Sequence, residues 1–132
     1  LYAAAYPDRV HKLLLIFPAF VLFDDAKETY RELGSPDFDQ LPDSLTHHNI
    51  TLGKIYLIDA LDIDIQAEQN KITAPTLIIH GTDDAVVPYQ YAVEASQTIP
   101  NAKLVTVEGG EHRIDEIFAI TAAPAIQKFL KE

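Results

Sequence analysis

Three short apolar runs that do not alternate with polar residues constrain this chain more than any other feature. Lys12 to Phe17 (Lys-Leu-Leu-Leu-Ile-Phe) is bounded by charge on one side and Pro18 on the other. The signature returns at Thr76 to Ile79, after Pro75, and more weakly at Lys103 to Val107. A strand with one wet face alternates apolar and polar residues, whereas a strand covered on both faces has no need to. The runs therefore predict buried parallel strands in an α/β fold. Two stretches carry helical pattern. Tyr89 to Thr98 follows Pro88, and Ile114 to Leu130 places Ile114, Ile117, Phe118, Ile126 and Phe129 near helical spacing. Pro124 interrupts the second stretch and predicts a break, with Thr121 capping a further helix that holds Pro124 in its first turn. The order strand, insertion, strand, helix, strand, helix fits a parallel sheet with flanking helices.

The insertion, residues 19–66, has its own composition. It carries ten of the 20 acidic residues against Lys27, Arg31 and Lys54, which is −7 of the net −10. A bare loop of that length is unusual inside a compact domain, so a small acidic subdomain is expected there, with a short helix over Leu52 to Leu61. The flanking 1–18 and 67–132 form the core domain. An acidic chain lacks the basic stripe that phosphate binding needs, which argues against a nucleic-acid partner. No apolar run approaches the roughly 18 residues of a membrane span, so a soluble, cytoplasmic protein without a membrane partner is expected. Cysteine is absent, which removes disulfides, thiolate catalysis and cysteine-type zinc sites. The opening Leu1 to Tyr6 reads as the last turns of a helix stopped by Pro7, without Met or a cap, as expected for the C-terminal piece of a longer protein.

Chemistry concentrates in two motifs, Leu77-Ile-Ile-His-Gly-Thr-Asp-Asp-Ala-Val-Val-Pro88 and Val107-Glu-Gly-Gly-Glu-His112. Each sets ionisable residues just past a buried strand, and in an open parallel sheet the carboxyl ends of strands are where ligands collect. Between Asp84 and His112 a helix of about ten residues returns roughly 15 Å and a strand of about five climbs roughly 17 Å. The near cancellation predicts that both loops share one edge. Asp84 can then accept a hydrogen bond from one nitrogen of His112, leaving the other as a general base. Asp83 is the rival acid and is expected to stabilise the turn. His80, at the end of a buried strand, is expected to be a hydrogen-bonded structural histidine. A metal site from His80, Asp83, Asp84 and His112 lacks a helical His pair to support it, so no metal and no cofactor are expected. His47 and His48 are expected to be solvated loop residues, and the charges from Asp59 to Glu68 a wet helix face.

These two motifs, preceded by Tyr6-Pro-Asp-Arg-Val-His-Lys-Leu-Leu-Leu-Ile-Phe-Pro18, resemble the second half of an α/β-hydrolase. The insertion, through Leu52-Gly-Lys-Ile-Tyr-Leu-Ile-Asp-Ala60, is most similar to that of bacterial cinnamoyl (feruloyl) esterase-like members. The resemblance implies Asp84 as triad acid, from Gly-x-x-Asp-x-x-Val-Pro, and His112 as triad base, from Gly-Gly-x-His. It implies a nucleophilic serine in a Gly-x-Ser-x-Gly turn roughly ten residues before Leu1. Ser35, Ser44 and Ser96 lie in no such turn, so the chain alone is expected to be inactive. The resemblance further implies that the insertion is a lid roofing the acyl pocket. Asp25, in Phe23-Asp-Asp-Ala26, and Tyr56 would bind the phenolic hydroxyl of an aromatic acid, with Asp24 as the alternative carboxylate. The implied activity is serine ester hydrolysis of small, hydroxycinnamate-type esters. Thioester or acyl-peptide hydrolysis on the same scaffold, or a non-catalytic binding module, stand as alternatives. The open edge at Lys12 to Phe17 is expected to pair with a second copy of the chain, as a homo-oligomer, or with the missing N-terminal half of the same protein.

Overall fold

The computed structural model describes residues 1–47 and 50–132. They divide into two compact units, Leu1–Phe20 with Ile65–Glu132, and Val21–Asp64. In the larger unit, β4 (Thr76–Gly81) runs between β1 (Leu13–Ile16) and β5 (Ala102–Val107) in a parallel sheet of order β1-β4-β5. Leu13 to Ile16 pair in register with Thr76 to Ile79, and Thr76 to Gly81 with Ala102 to Val107. Every residue of β4 is buried, as its apolar run predicts for a central strand. The residues of β1 are only half-buried, because among the described strands β1 has a neighbour on one side alone.

The two faces separate by strand alternation. Leu13, Leu15, Ile78 and Leu104 face one core with Ala92, Ala95 and Ile99, which lie on and just after α5 (Tyr89–Thr98). The small alanines let α5 approach the sheet closely. Ala3 and Ala4 of α1 (Tyr2–Ala5) and Ile72, just beyond α4 (Ile65–Asn70), close that core. Leu14, Ile16, Leu77, Ile79, Val105 and Val107 face a second core covered by α6 (Glu116–Lys131).

Helix α6 departs from the expectation in two ways. It is continuous through Pro124, with its N-terminus capped by Asp115, which accepts from the Phe118 amide at 2.9 Å. Thr121 lies inside the helix and caps nothing. Pro124 and Ile120, the residue whose carbonyl Pro124 leaves without a helical donor, are both exposed, so water can take over that acceptor. The buried face is Phe118, Ala122, Ala125, Ile126 and Phe129. Ile114 lies outside the helix and Ile117 on its outer side, 69% and 53% exposed. At the far end, Lys12 Nζ donates to the Phe129 and Leu130 carbonyls at 2.6 and 3.3 Å, satisfying acceptors that a helix C-terminus leaves open.

The smaller unit contains α2 (Leu22–Glu32), an antiparallel hairpin of β2 (Ser44–His47) and β3 (Ile50–Gly53), and α3 (Lys54–Asp62). The helix read over Leu52 to Leu61 begins only at Lys54, because Leu52 and Gly53 pair with Leu45 and Ser44. Helix α2 was not foreseen, although Leu22, Ala26 and Tyr30 recur at helical spacing and Ala26 and Tyr30 pack into this unit's core. Ala26, Leu41, Leu57 and Ala60 form this unit's core. The side chain of His47, and His48 altogether, fall outside the described residues. Asp59, Asp62 and Asp64 are exposed and Glu68 half-buried. Among the described residues, no helix is long and apolar enough to cross a membrane.

Phe118 is 1% exposed and stacks on Phe17 with ring centroids 4.6 Å apart. Phe118→Ala should lower unfolding stability by about 3–5 kcal/mol, measured by chemical denaturation. An unchanged midpoint would contradict the packing described.

Candidate active site

The two motifs leave the carboxyl ends of neighbouring strands, and their backbones are joined. The Thr82 amide donates to the Val107 carbonyl at 3.0 Å, the Asp83 amide to the Gly110 carbonyl at 2.9 Å, and the Gly109 amide to Thr82 Oγ1 at 2.9 Å. Such an approach has no room for a side chain at Gly81, where a Cβ would run into the Gly110 carbonyl. Gly109 supplies a left-handed φ of +70° that turns the chain after β5. The glycines in His-Gly-Thr-Asp-Asp and Glu-Gly-Gly-Glu-His thus have a mechanical reason: they let the two loops lie against each other.

This joint brings Asp84 and His112 together. Asp84 Oδ2 lies 2.8 Å from His112 Nδ1, with the Asp84 side chain fully buried and that of His112 36% exposed. Asp84 Oδ1 accepts from the Val86 and Val87 amides at 2.9 and 2.8 Å. Burial opposes the charge on Asp84. The donors outweigh it: the Val87 amide, His112 and the Val86 amide together hold the carboxyl below its usual range. An ionised Asp84 accepts only, so Nδ1 of neutral His112 carries the proton and Nε2 keeps a free lone pair. Among the described residues Nε2 has no hydrogen-bond partner. That is the arrangement of a histidine ready to take a proton.

Asp83, the rival acid, is exposed, with its side chain accepting from Thr82 Oγ1 at 3.1 Å. Among the described residues it makes no hydrogen bond or ion pair with His112. His80 is fully buried, and its Nε2 donates to the Val87 carbonyl at 2.9 Å. The same nitrogen is 3.2 Å from Asp84 Oδ2, a proximity the sequence did not signal. Phe17 was also missed. Just past β1 it adopts φ +44°, an uncommon left-handed conformation for an aromatic residue, and its ring lies 5.0 Å from the His112 ring. Only the abrupt end of the apolar run at Pro18 hinted at a turn there. Among the described residues, no three His, Asp or Glu side chains converge as metal ligands.

Asp25 and Tyr56 belong to the smaller unit and line one pocket in it, of about 100 Å³, with Leu22, Ala26, Leu45, Leu52 and Leu57 among its walls. Tyr56 is 40% exposed, so it is not a core residue. Asp24, the alternative acid, pairs with Lys27 at 3.3 Å on the exposed side of α2 and does not line the pocket. Of the serines, Ser96 lies on α5 and donates to the Val93 carbonyl, Ser44 lies in β2, and Ser35 follows α2 with φ +50°.

A family model described as TAP-like protein, Abhydrolase_4, matches residues 61–132. RutD of Stutzerimonas stutzeri, provisionally named a carbamate hydrolase, is 39% identical over 70 residues, covering 52% of this chain and 26% of that protein. The AB hydrolase superfamily protein YisY of Bacillus subtilis is 32% identical over 92 residues, 69% of this chain and 34% of YisY. The solved structure of Est1E from Butyrivibrio proteoclasticus matches with a TM-score of 0.81 at 30% identity, over 100% of this chain and 56% of Est1E. A second Est1E structure, with ferulic acid bound, matches with a TM-score of 0.79 at 30% identity, over 100% of this chain and 55% of Est1E. The chain thus spans little more than half of Est1E, and its matches cover about a third or less of these two curated relatives.

Two outcomes test the joint. Gly81→Ala should force the loops apart, lowering the thermal midpoint and disrupting the Asp84–His112 contact; full retention of both would contradict the packing. Because the folded pKa of Asp84 is depressed, its ionisation stabilises the fold fully above the ordinary value of about 3.8, and the gain fades as pH falls through the folded value. The stability advantage of the wild type over Asp84→Asn should therefore shrink below about pH 4, followed by thermal denaturation. A constant difference down to strong acid would exclude that linkage.

Proposed function

The chain belongs to the α/β-hydrolase superfamily, and within it we propose that it supplies the acid and base of a serine ester hydrolase acting on hydroxycinnamate-type esters. The 2.8 Å contact between Asp84 Oδ2 and His112 Nδ1 carries this reading. The nucleophilic serine and the oxyanion donors come from the remainder of the protein, in keeping with the share of Est1E that the chain spans. Serine Oγ attacks the ester carbonyl while His112 Nε2 takes its proton, and Asp84 stabilises the imidazolium that forms. His112 then protonates the departing alcohol as the tetrahedral intermediate collapses to an acyl-enzyme. In the second half, His112 deprotonates a water that attacks the acyl carbon, and the proton returns to serine as the acid leaves. No metal or cofactor enters these steps.

The smaller unit acts as the lid in this reading, recognising the aromatic acid. Asp25 accepts from the phenolic hydroxyl and Tyr56 adds a second polar contact beside apolar walls that suit an aromatic ring. Support for the acyl class is the ferulic acid bound to Est1E, which is 30% identical over the whole of this chain.

In the full-length protein, hydrolysis of a feruloyl ester should fall at least about 10⁴-fold with His112→Ala and roughly 10³–10⁴-fold in kcat with Asp84→Asn. Full activity of His112→Ala would refute the assignment. For acyl recognition, Tyr56→Phe should raise KM about tenfold for a feruloyl ester but leave it unchanged for the unsubstituted cinnamoyl ester. Equal effects on both substrates would remove Tyr56 from phenol recognition.

A further inference from the structure

His80 is an odd residue to bury completely in the central strand. Its Nε2 needs a proton to serve the Val87 carbonyl at 2.9 Å, which leaves Nδ1 as a buried acceptor without a donor among the described residues. An unpartnered buried polar atom is destabilising, and a leucine or phenylalanine would fill the space without that penalty. Its ring packs edge-on against the aromatic rings of Phe17 and Tyr89. What the ring does provide is a fixed N–H beside Asp84.

The surrounding contacts form a closed circuit. Val87 donates its amide to Asp84 Oδ1 at 2.8 Å and presents its carbonyl to His80. His80 Nε2 lies 3.2 Å from Asp84 Oδ2, the oxygen that His112 uses. The loop carrying the carboxylate is therefore tied to β4 at Val87. Oδ1 is held by two amides, and Oδ2 sits between two imidazoles. Rotation of the carboxylate about its Cβ–Cγ bond would break contacts on both oxygens at once.

We propose that His80 is a positioning residue: it pins the Val87 peptide and walls in Asp84 Oδ2, so that the carboxylate is held on His112 Nδ1. The inference rests on the proposed roles of Asp84 and His112 but not on the identity of the ester. His80 itself touches neither substrate nor nucleophile, and acts only through Asp84.

The test compares His80→Leu, which removes the donor, with His80→Gln, whose amide N–H can reach the Val87 carbonyl from the same strand position. Two measurements are made on the full-length protein: the nuclear magnetic resonance signal of the His112 Nδ1 proton, and steady-state hydrolysis of a feruloyl ester. In His80→Leu, the Nδ1 proton should move upfield and broaden, and kcat should fall roughly ten- to a hundredfold with KM unchanged. In His80→Gln the signal should return and kcat should recover to within about threefold of wild type. If the leucine variant does not fold, the glutamine variant decides alone: a retained Nδ1 signal supports the proposal and a lost one overturns it. A wild-type signal in folded His80→Leu overturns it, as does glutamine behaving no better than leucine. Undiminished hydrolysis by His112→Ala would instead remove the functional reading while leaving the Nδ1 comparison intact, so the two failures are distinguishable.

Discussion

Two loops with no room between their backbones organise the larger unit. A Cβ on Gly81 would run into the Gly110 backbone and one on Gly110 into the Val107 side chain, and the amides of Thr82 and Asp83 reach across to the Val107 and Gly110 carbonyls. This joint extends the β4–β5 pairing one step past the strands. It converts an Asp and a His 28 residues apart in sequence into hydrogen-bonded neighbours. Everything else in the unit serves it: the parallel register aligns the strand ends, while α5 and α6 clamp opposite faces of the sheet.

The electrostatics follow from that placement. A carboxylate with no exposed side-chain surface would ordinarily be driven toward its neutral form. Asp84 stays charged because two loop amides and one imidazole N–H converge on it, and the turn that donates those amides is itself tied to β4 through His80. Phe17 packs against the His112 ring, and Phe118 packs against Phe17. The result is a part-exposed histidine that donates from Nδ1 to a buried carboxylate, with Nε2 unpartnered among the described residues.

Much of this was legible in the sequence, for physical reasons that also explain what was not. Unalternating runs such as Thr76 to Ile79 reflect burial on two faces, so the parallel strands could be read directly. The near-equal lengths of α5 and β5 were enough to bring Asp84 and His112 to one edge. Pro124 misled because a proline signals a broken helix without saying which face it occupies, and on the exposed side its lost hydrogen bond is tolerated. Ile117 misled because apolar spacing does not reveal which side of a helix faces the sheet, and Ile114 because the helix begins only at Glu116. Helix α2 was legible as well, since Leu22, Ala26 and Tyr30 recur at helical spacing. The partnership of His80 with Asp84 depends on the turn through Val87, whose shape no pattern of residue types encodes.

The central claim is that Asp84 fixes the proton of His112 on Nδ1. Nitrogen-15 nuclear magnetic resonance of the labelled histidine in the full-length protein, in the pH range where its ring is neutral, reads this directly. A protonated Nδ1 and a bare Nε2, with that preference lost in Asp84→Asn, is the result the geometry requires. A ring protonated on Nε2, or one indifferent to Asp84, would contradict it.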